Sequence, residues 1–130
     1  MNMQTNDDVS KLHLSERTHA KLKRLQEEKH FLEMKDAYRF GIALALSRGI
    51  RPPEIVPPRT SAIYSISQID PDHSIALAIN LLMDTEDVSP YRWAERLAEW
   101  GVEELARESQ KGQIDFVRLL AEAKGKAENL

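Results

Sequence analysis

The sequence predicts a mainly α-helical fold that begins with one short strand. Apolar residues recur at spacings of three and four along much of the chain, which is the helical period. Asp70-Pro71 and Ser89-Pro90 are helix start signals, because a capping side chain precedes a proline at the first helical position. Alternation of apolar and polar residues, typical of a strand, occurs from Lys11 to Ser15.

Composition indicates a globular protein. The chain has 130 residues, of which 42% are hydrophobic and 30% are charged. It has no cysteine, which excludes disulfides and thiolate chemistry and fits a reducing compartment. Residues 1–10 are polar and acidic, unlike a signal peptide, and we expect them to be disordered. The longest apolar run, residues 41–46, is too short to cross a bilayer, so we expect a soluble cytoplasmic protein.

Residues 11–50 predict a strand-helix-helix unit. Leu12 and Leu14 share one face of the strand, and Ser15 stands where a helix N-cap is needed. The first helix, from Glu16 to His30, has a narrow apolar stripe. The second, from Asp36 to Arg48, is apolar nearly all round, which is typical of a buried helix.

This unit predicts a dimer. A single strand has no partner strand, and a helix that is apolar on all sides has more apolar surface than so short a unit is expected to bury by itself. A buried helix in a monomeric bundle is the alternative interpretation. We expect a homodimer or a higher oligomer. Its predicted core comprises Leu12, Leu14, Phe40, Gly41 and Leu44.

The strand alternation, followed by Leu22, Leu25 and the apolar second helix, resembles a ribbon-helix-helix domain. The resemblance implies a two-stranded ribbon that fits the DNA major groove. Family members usually carry Gly and then Ser or Thr between the helices, whereas this sequence has Glu33 there. If two strands pair, the predicted DNA-contacting residues are Lys11 and His13 on the ribbon, with Lys21, Arg24 and Lys35 near phosphates.

A second resemblance concerns the layout of residues 11–120. The order of strand, helix, apolar helix ending in Ser47-Arg48-Gly49-Ile50, proline-rich connector and helical tail is similar to small accessory proteins of bacterial DNA phosphorothioation (Dnd) systems. The resemblance implies an accessory role in phage defence linked to DNA modification. The partners it implies are double-stranded DNA or proteins of a defence complex.

Only the N-terminal half of the chain has the net positive charge that DNA binding needs. Residues 1–51 contain 10 Lys+Arg and 7 Asp+Glu, a net charge of +3. Residues 52–130 contain 8 Lys+Arg and 14 Asp+Glu, a net charge of −6. A phosphate-binding surface needs local positive charge, so this mild balance predicts modest affinity.

The rest of the chain predicts a connector and a helical subdomain. Two Pro-Pro pairs in residues 51–60 indicate a stiff spacer, or alternatively a ligand for an aromatic groove. Residues 61–69 suggest an edge strand or an extended segment, within a helical subdomain that spans residues 61–127. We expect the helix from Asp70 to Met83 to form the local core and Gly101 to break or bend the next helix. A last helix is expected to pack through Ile114, Val117, Leu120 and Ala121.

Trp93, Leu97 and Trp100 form a stripe at helical spacing. Such a stripe is either core or a partner surface, since tryptophans dominate interface energetics.

Sequence motifs predict no enzyme. There is no phosphate-binding glycine loop, nucleophile elbow or metalloprotease motif. The four histidines are scattered, so we expect no catalytic residues, metal or cofactor. The leading hypothesis is a non-enzymatic DNA-associated protein. The alternatives are a protein–protein scaffold built on the same dimer and an antitoxin-like repressor.

Overall fold

The computed structural model describes residues 10–119 and 121–122, and the predicted fold class, mainly helical, is confirmed there. The elements run in the order β1 (Lys11–Leu12), α1 (Glu16–Glu27), α2 (Met34–Ser47), β2 (Tyr64–Ser65), α3 (Ile66–Ile69), α4 (Ser74–Leu82) and α5 (Pro90–Ser109). Residues 116–119 and 121–122 are helical as well. Within this part of the chain, no helix combines the length and apolarity needed to span a bilayer. The predicted disordered N-terminus lies outside the described residues, apart from Ser10, and so does Leu120.

Helix α5 is the longest helix, and α2 crosses it with the two backbones in contact. A Cβ atom placed on Gly101 would lie 2.1 Å from the carbonyl oxygen of Gly41. The prediction that Gly101 breaks the helix is wrong, because α5 continues through it to Ser109. The glycine is instead needed where another backbone passes close by.

One buried cluster contains residues from both sides of the connector. Leu12, Leu14 and Leu44 are buried within a single chain, and Gly41 is covered by α5. Phe40 is half-buried beside Phe31 and Phe116. Burial of the predicted dimer-core residues therefore does not require a second chain, contrary to our reasoning from the sequence.

Strand β1 finds its partner in the same chain. It pairs antiparallel with β2, with Lys11 opposite Ser65 and Leu12 opposite Tyr64. The connector also lies against this region, since the Pro58 carbonyl accepts from the Glu16 N–H at 2.9 Å. The premise that β1 lacks a partner within its own chain is therefore wrong. The strand predicted within residues 61–69 is present as β2, but its pairing with β1 was not predicted.

Two of the three predicted helix starts are confirmed. Ser15 accepts from the Thr18 N–H at 3.1 Å, and Ser89 accepts from the Tyr91 N–H at 3.2 Å. The predicted start at Asp70-Pro71 is wrong, because α4 begins at Ser74 with His73 at its N-cap position, although the Asp70 carboxylate accepts from the N–H groups of Ile75 and Ala76. Gly49 follows the end of α2 with a φ of +67°, as the predicted stop signal requires.

The crossing of α2 and α5 predicts unequal effects of two glycine substitutions. We expect Gly101→Ala to lower the free energy of unfolding by about 3 kcal/mol or more, because its methyl group meets backbone atoms that cannot move independently. For Gly41→Ala the nearest atom is the Val102 nitrogen at 3.1 Å, so we expect a loss of about 1 kcal/mol or less. Urea denaturation measures both. Equal midpoints for Gly101→Ala and the unmodified protein would contradict this packing.

Candidate functional site

Three carboxylates on one face of α5 hold the N-terminal segment: two bind the backbone that follows β1, and the third binds α1. Glu95 is 2% exposed, and its Oε2 atom accepts from both the backbone N–H and the Nδ1 atom of His13 at 2.8 Å. Glu99 accepts from the Ser15 N–H at 3.0 Å and from the Ser15 hydroxyl at 2.7 Å. The spacing of four residues between these glutamates places them in line along the strand.

The third carboxylate, Glu103, binds α1. It accepts from the Thr18 hydroxyl at 2.6 Å and from the Lys21 ammonium at 2.7 Å. Burial opposes ionisation of Glu103, but the bonds from Lys21 and Thr18 outweigh it and lower its pKa. The carboxylate therefore stays charged and keeps Lys21 engaged.

Side chains hydrogen-bond the backbone that directly follows β1. On the side away from β2, the His13 carbonyl accepts from the Tyr38 hydroxyl at 3.1 Å. The backbone N–H groups of His13 and Ser15 donate to Glu95 and Glu99 on the same side. A ribbon with another copy that extended along residues 13–15 would have to replace these three bonds.

The five predicted DNA contacts do not form one face. His13, Lys21 and Lys35 bind Glu95, Glu103 and Glu33, the last pair at 3.5 Å. The prediction that His13 faces outward is wrong, since the α5 carboxylate draws it inward. Lys11 and Arg24 are exposed and have no ion-pair partner among the described residues. They line separate depressions, Lys11 beside Ser65 and Arg24 between α1 and residues 60–63.

The tryptophan stripe belongs to the interior. Trp93 and Leu97 are buried, and the Trp93 Nε1 atom donates to the Thr85 carbonyl at 2.9 Å. Trp100 is half-buried beneath the Arg48 guanidinium. The core alternative is correct for Trp93 and Leu97, so these two residues are not available to a partner.

Helix α4 exposes the apolar residues that the sequence predicted to be its buried core. The side chains of Leu77, Leu81 and Leu82 are 59%, 74% and 67% exposed, and we call these three residues the leucine face. Only Ile79 of this helix is fully buried. Since α4 packs on α5 through one side alone, its apolar excess remains at the surface.

The last helical segment also differs from prediction. Ile114 is buried as expected, but Val117 is 79% exposed and Ala121 is exposed. Phe116 and Leu119 take their place against the core. The register of this helix is therefore shifted by about one residue from the predicted inner face.

Glu95 and Glu99 alternate with arginines in the sequence, a pattern typical of a solvated helix face. The structure buries Glu95 and surrounds it with Arg59 and Arg92, each at 3.2 Å. The available signal was the repeat of glutamates at positions 95, 99 and 103, opposite a strand that needed polar partners.

No cluster of three or more His, Asp or Glu residues suited to a metal ion occurs within the described part of the chain. Comparisons of the chain with protein-family models, curated proteins and solved structures found no match. The ribbon-helix-helix and Dnd resemblances stay predictions.

The role of Glu95 predicts a large loss of stability when it is truncated. Glu95→Ala leaves the His13 N–H and two arginines without their acceptor, so we expect a loss of about 3 kcal/mol. Glu122→Ala is the control, because this exposed residue pairs with Arg118 and Arg48, which keep Glu108 and Glu104 as partners, so its loss should cost less than about 1 kcal/mol. Chemical denaturation measures both. Equal losses would show that Glu95 does not anchor β1.

Proposed function

We propose that this protein is a non-enzymatic scaffold that binds an amphipathic helix of another protein through the leucine face of α4. The observation that carries the proposal is the exposure of three leucines on one short helix. Exposed apolar patches of this kind mark interaction sites, because binding a partner removes apolar surface from water and this removal lowers the free energy.

The surroundings of α4 indicate the chemistry of the partner. Residues 74–82 carry no charge, whereas Asp72 precedes the helix and Asp84 and Asp87 follow it. These three side chains are exposed and have no ion-pair partner among the described residues. A second copy of the chain would bring acids next to acids in either orientation. A helix with an apolar stripe and basic residues at both ends complements this surface.

A small groove extends the leucine face. It has a volume of about 210 Å³ and lies between the ends of α2 and α4, lined by Leu46, Ile50, Leu82 and Met83. Arg51 and Asp84 stand at its rim. A single apolar side chain of the partner fits such a depression, which supports a helix-in-groove contact.

Two synthetic helical peptides test this proposal. Both carry leucines at spacings of three and four, and one has lysines at its ends where the other has glutamates. We expect the lysine-flanked peptide to bind at least tenfold more tightly, measured by fluorescence anisotropy. Leu81→Asp should abolish binding, whereas Leu32→Asp should not, because Leu32 is 90% exposed outside α4. Equal binding of both peptides, or no binding, would contradict the proposal.

Self-association is tested in the same material. The homodimer expected from the sequence stays a prediction, and sedimentation velocity measures it. A dimer that Leu81→Asp dissociates would assign the leucine face to a second copy instead of a basic helix. A dimer unaffected by this variant leaves the face available to the peptide.

DNA association, with the accessory role in DNA modification implied by the Dnd resemblance, also stays a prediction. If the protein binds a duplex, the exposed Lys11 and Arg24 should contribute and the neutralised Lys21 should not. We expect Lys11→Ala/Arg24→Ala to reduce the dependence of log affinity on log salt by about two. Lys21→Ala should leave that slope unchanged. Titrations at several salt concentrations measure it, and a reduced slope for Lys21→Ala would contradict the assignment.

A further inference from the structure

A cleft opens where β1, β2 and the start of α4 meet. Its volume is about 560 Å³, and it lies apart from the leucine face. The polar residues that line it are Lys11, Ser65, Ser67, Asp70, His73 and Tyr91. Ile66 and Pro71 form the apolar part of the wall of the cleft. Strand pairing sets Lys11 directly opposite Ser65, which places these two side chains on the same face of the sheet.

A chain of hydrogen bonds orients one wall of the cleft. Asp70 is 1% exposed and accepts from the N–H groups of Ile75 and Ala76, at 2.8 and 3.1 Å. It also accepts from the Tyr91 hydroxyl at 2.8 Å. Burial, and then the bond to Asp70, raise the pKa of Tyr91, so this side chain remains a phenol. The Asp70 charge is thus turned inward onto these donors.

His73 completes the chain. Its Nδ1 atom lies 3.2 Å from the Tyr91 oxygen, whose own proton is already donated to Asp70. Nδ1 must therefore carry a proton and donate, which leaves Nε2 for another group. The imidazole makes no capping bond to α4, because Asp70 performs that role. The fold fixes one ring nitrogen of an exposed histidine and leaves the other unused by the described residues.

We propose that this cleft binds a small phosphate monoester, held by the Lys11 ammonium, by one hydroxyl of the Ser65–Ser67 pair, whose oxygens are hydrogen-bonded to each other at 3.1 Å, and by the His73 imidazole. Lysine binds phosphate as a point charge, and hydroxyl groups donate to the remaining oxygens.

Nuclear magnetic resonance titration of the full chain tests this proposal. The probes are inorganic phosphate, AMP and, as the uncharged control, adenosine. We expect saturable shifts at residues 11, 65–67, 73 and 91 with phosphate and AMP but not with adenosine. Tighter binding of AMP would identify an organic phosphate ester as the ligand, whereas equal binding would identify the phosphate group alone.

Two variants test the assignment of residues. Lys11→Gln and His73→Asn should each weaken binding about tenfold, because the first removes the charged donor and the second removes the imidazole from the wall of the cleft. Asparagine tolerates the left-handed backbone of His73, whose φ is +63°, so this variant should fold. Lys23→Gln is the control for an exposed lysine outside the cleft. The proposal would be overturned if the shifts did not saturate at phosphate concentrations about tenfold above the millimolar range found in cells. Unchanged affinity in both variants would overturn it as well.

Discussion

The backbone contact between Gly41 and Gly101 determines the rest of the arrangement. Because neither residue carries a side chain, α2 and α5 cross closer together than larger residues allow. The crossing brings Tyr38 of α2 and Glu95 of α5 to the same stretch of β1. A methyl group at position 101 would push the two helices apart and would move both Tyr38 and Glu95 away from the N-terminal strand.

The N-terminal strand illustrates how a short chain satisfies a sheet edge without a second copy. One edge of β1 is paired with β2, and the backbone that directly follows it, at His13 and Ser15, is hydrogen-bonded by two carboxylates and one phenol hydroxyl. Side chains here provide the hydrogen-bond donors and acceptors that a second strand would otherwise provide, because buried backbone groups must be hydrogen-bonded. Glu95 binds the His13 imidazole and Glu103 pairs with Lys21, so the fold engages two of the side chains on which the ribbon hypothesis relied.

Both proposed activities involve α4. Its leucine face supports binding of a helical partner, and His73 at its start borders the polar cleft. The two sites differ in chemistry, since one is apolar between acidic flanks and the other contains lysine, histidine and hydroxyl groups. Occupation of the cleft would act on the N-terminal end of the helix that carries the leucine face.

The sequence by itself determined what local chemistry specifies: the helical class, the caps at Ser15 and Ser89, the stop at Gly49 and the buried stripe of α1. Only the tertiary structure decided which surfaces meet. The pairing of β1 with β2 joins residues more than 50 positions apart, and no periodicity reveals such a contact. Apolar residues on both sides of α4 likewise predicted its burial, but only one side of the helix meets α5. Glu95 appeared to be a surface acid until the crossing of α2 and α5 placed His13, Arg59 and Arg92 around it. Hydrophobic patterning identifies a face, whereas its partner depends on how the whole chain packs.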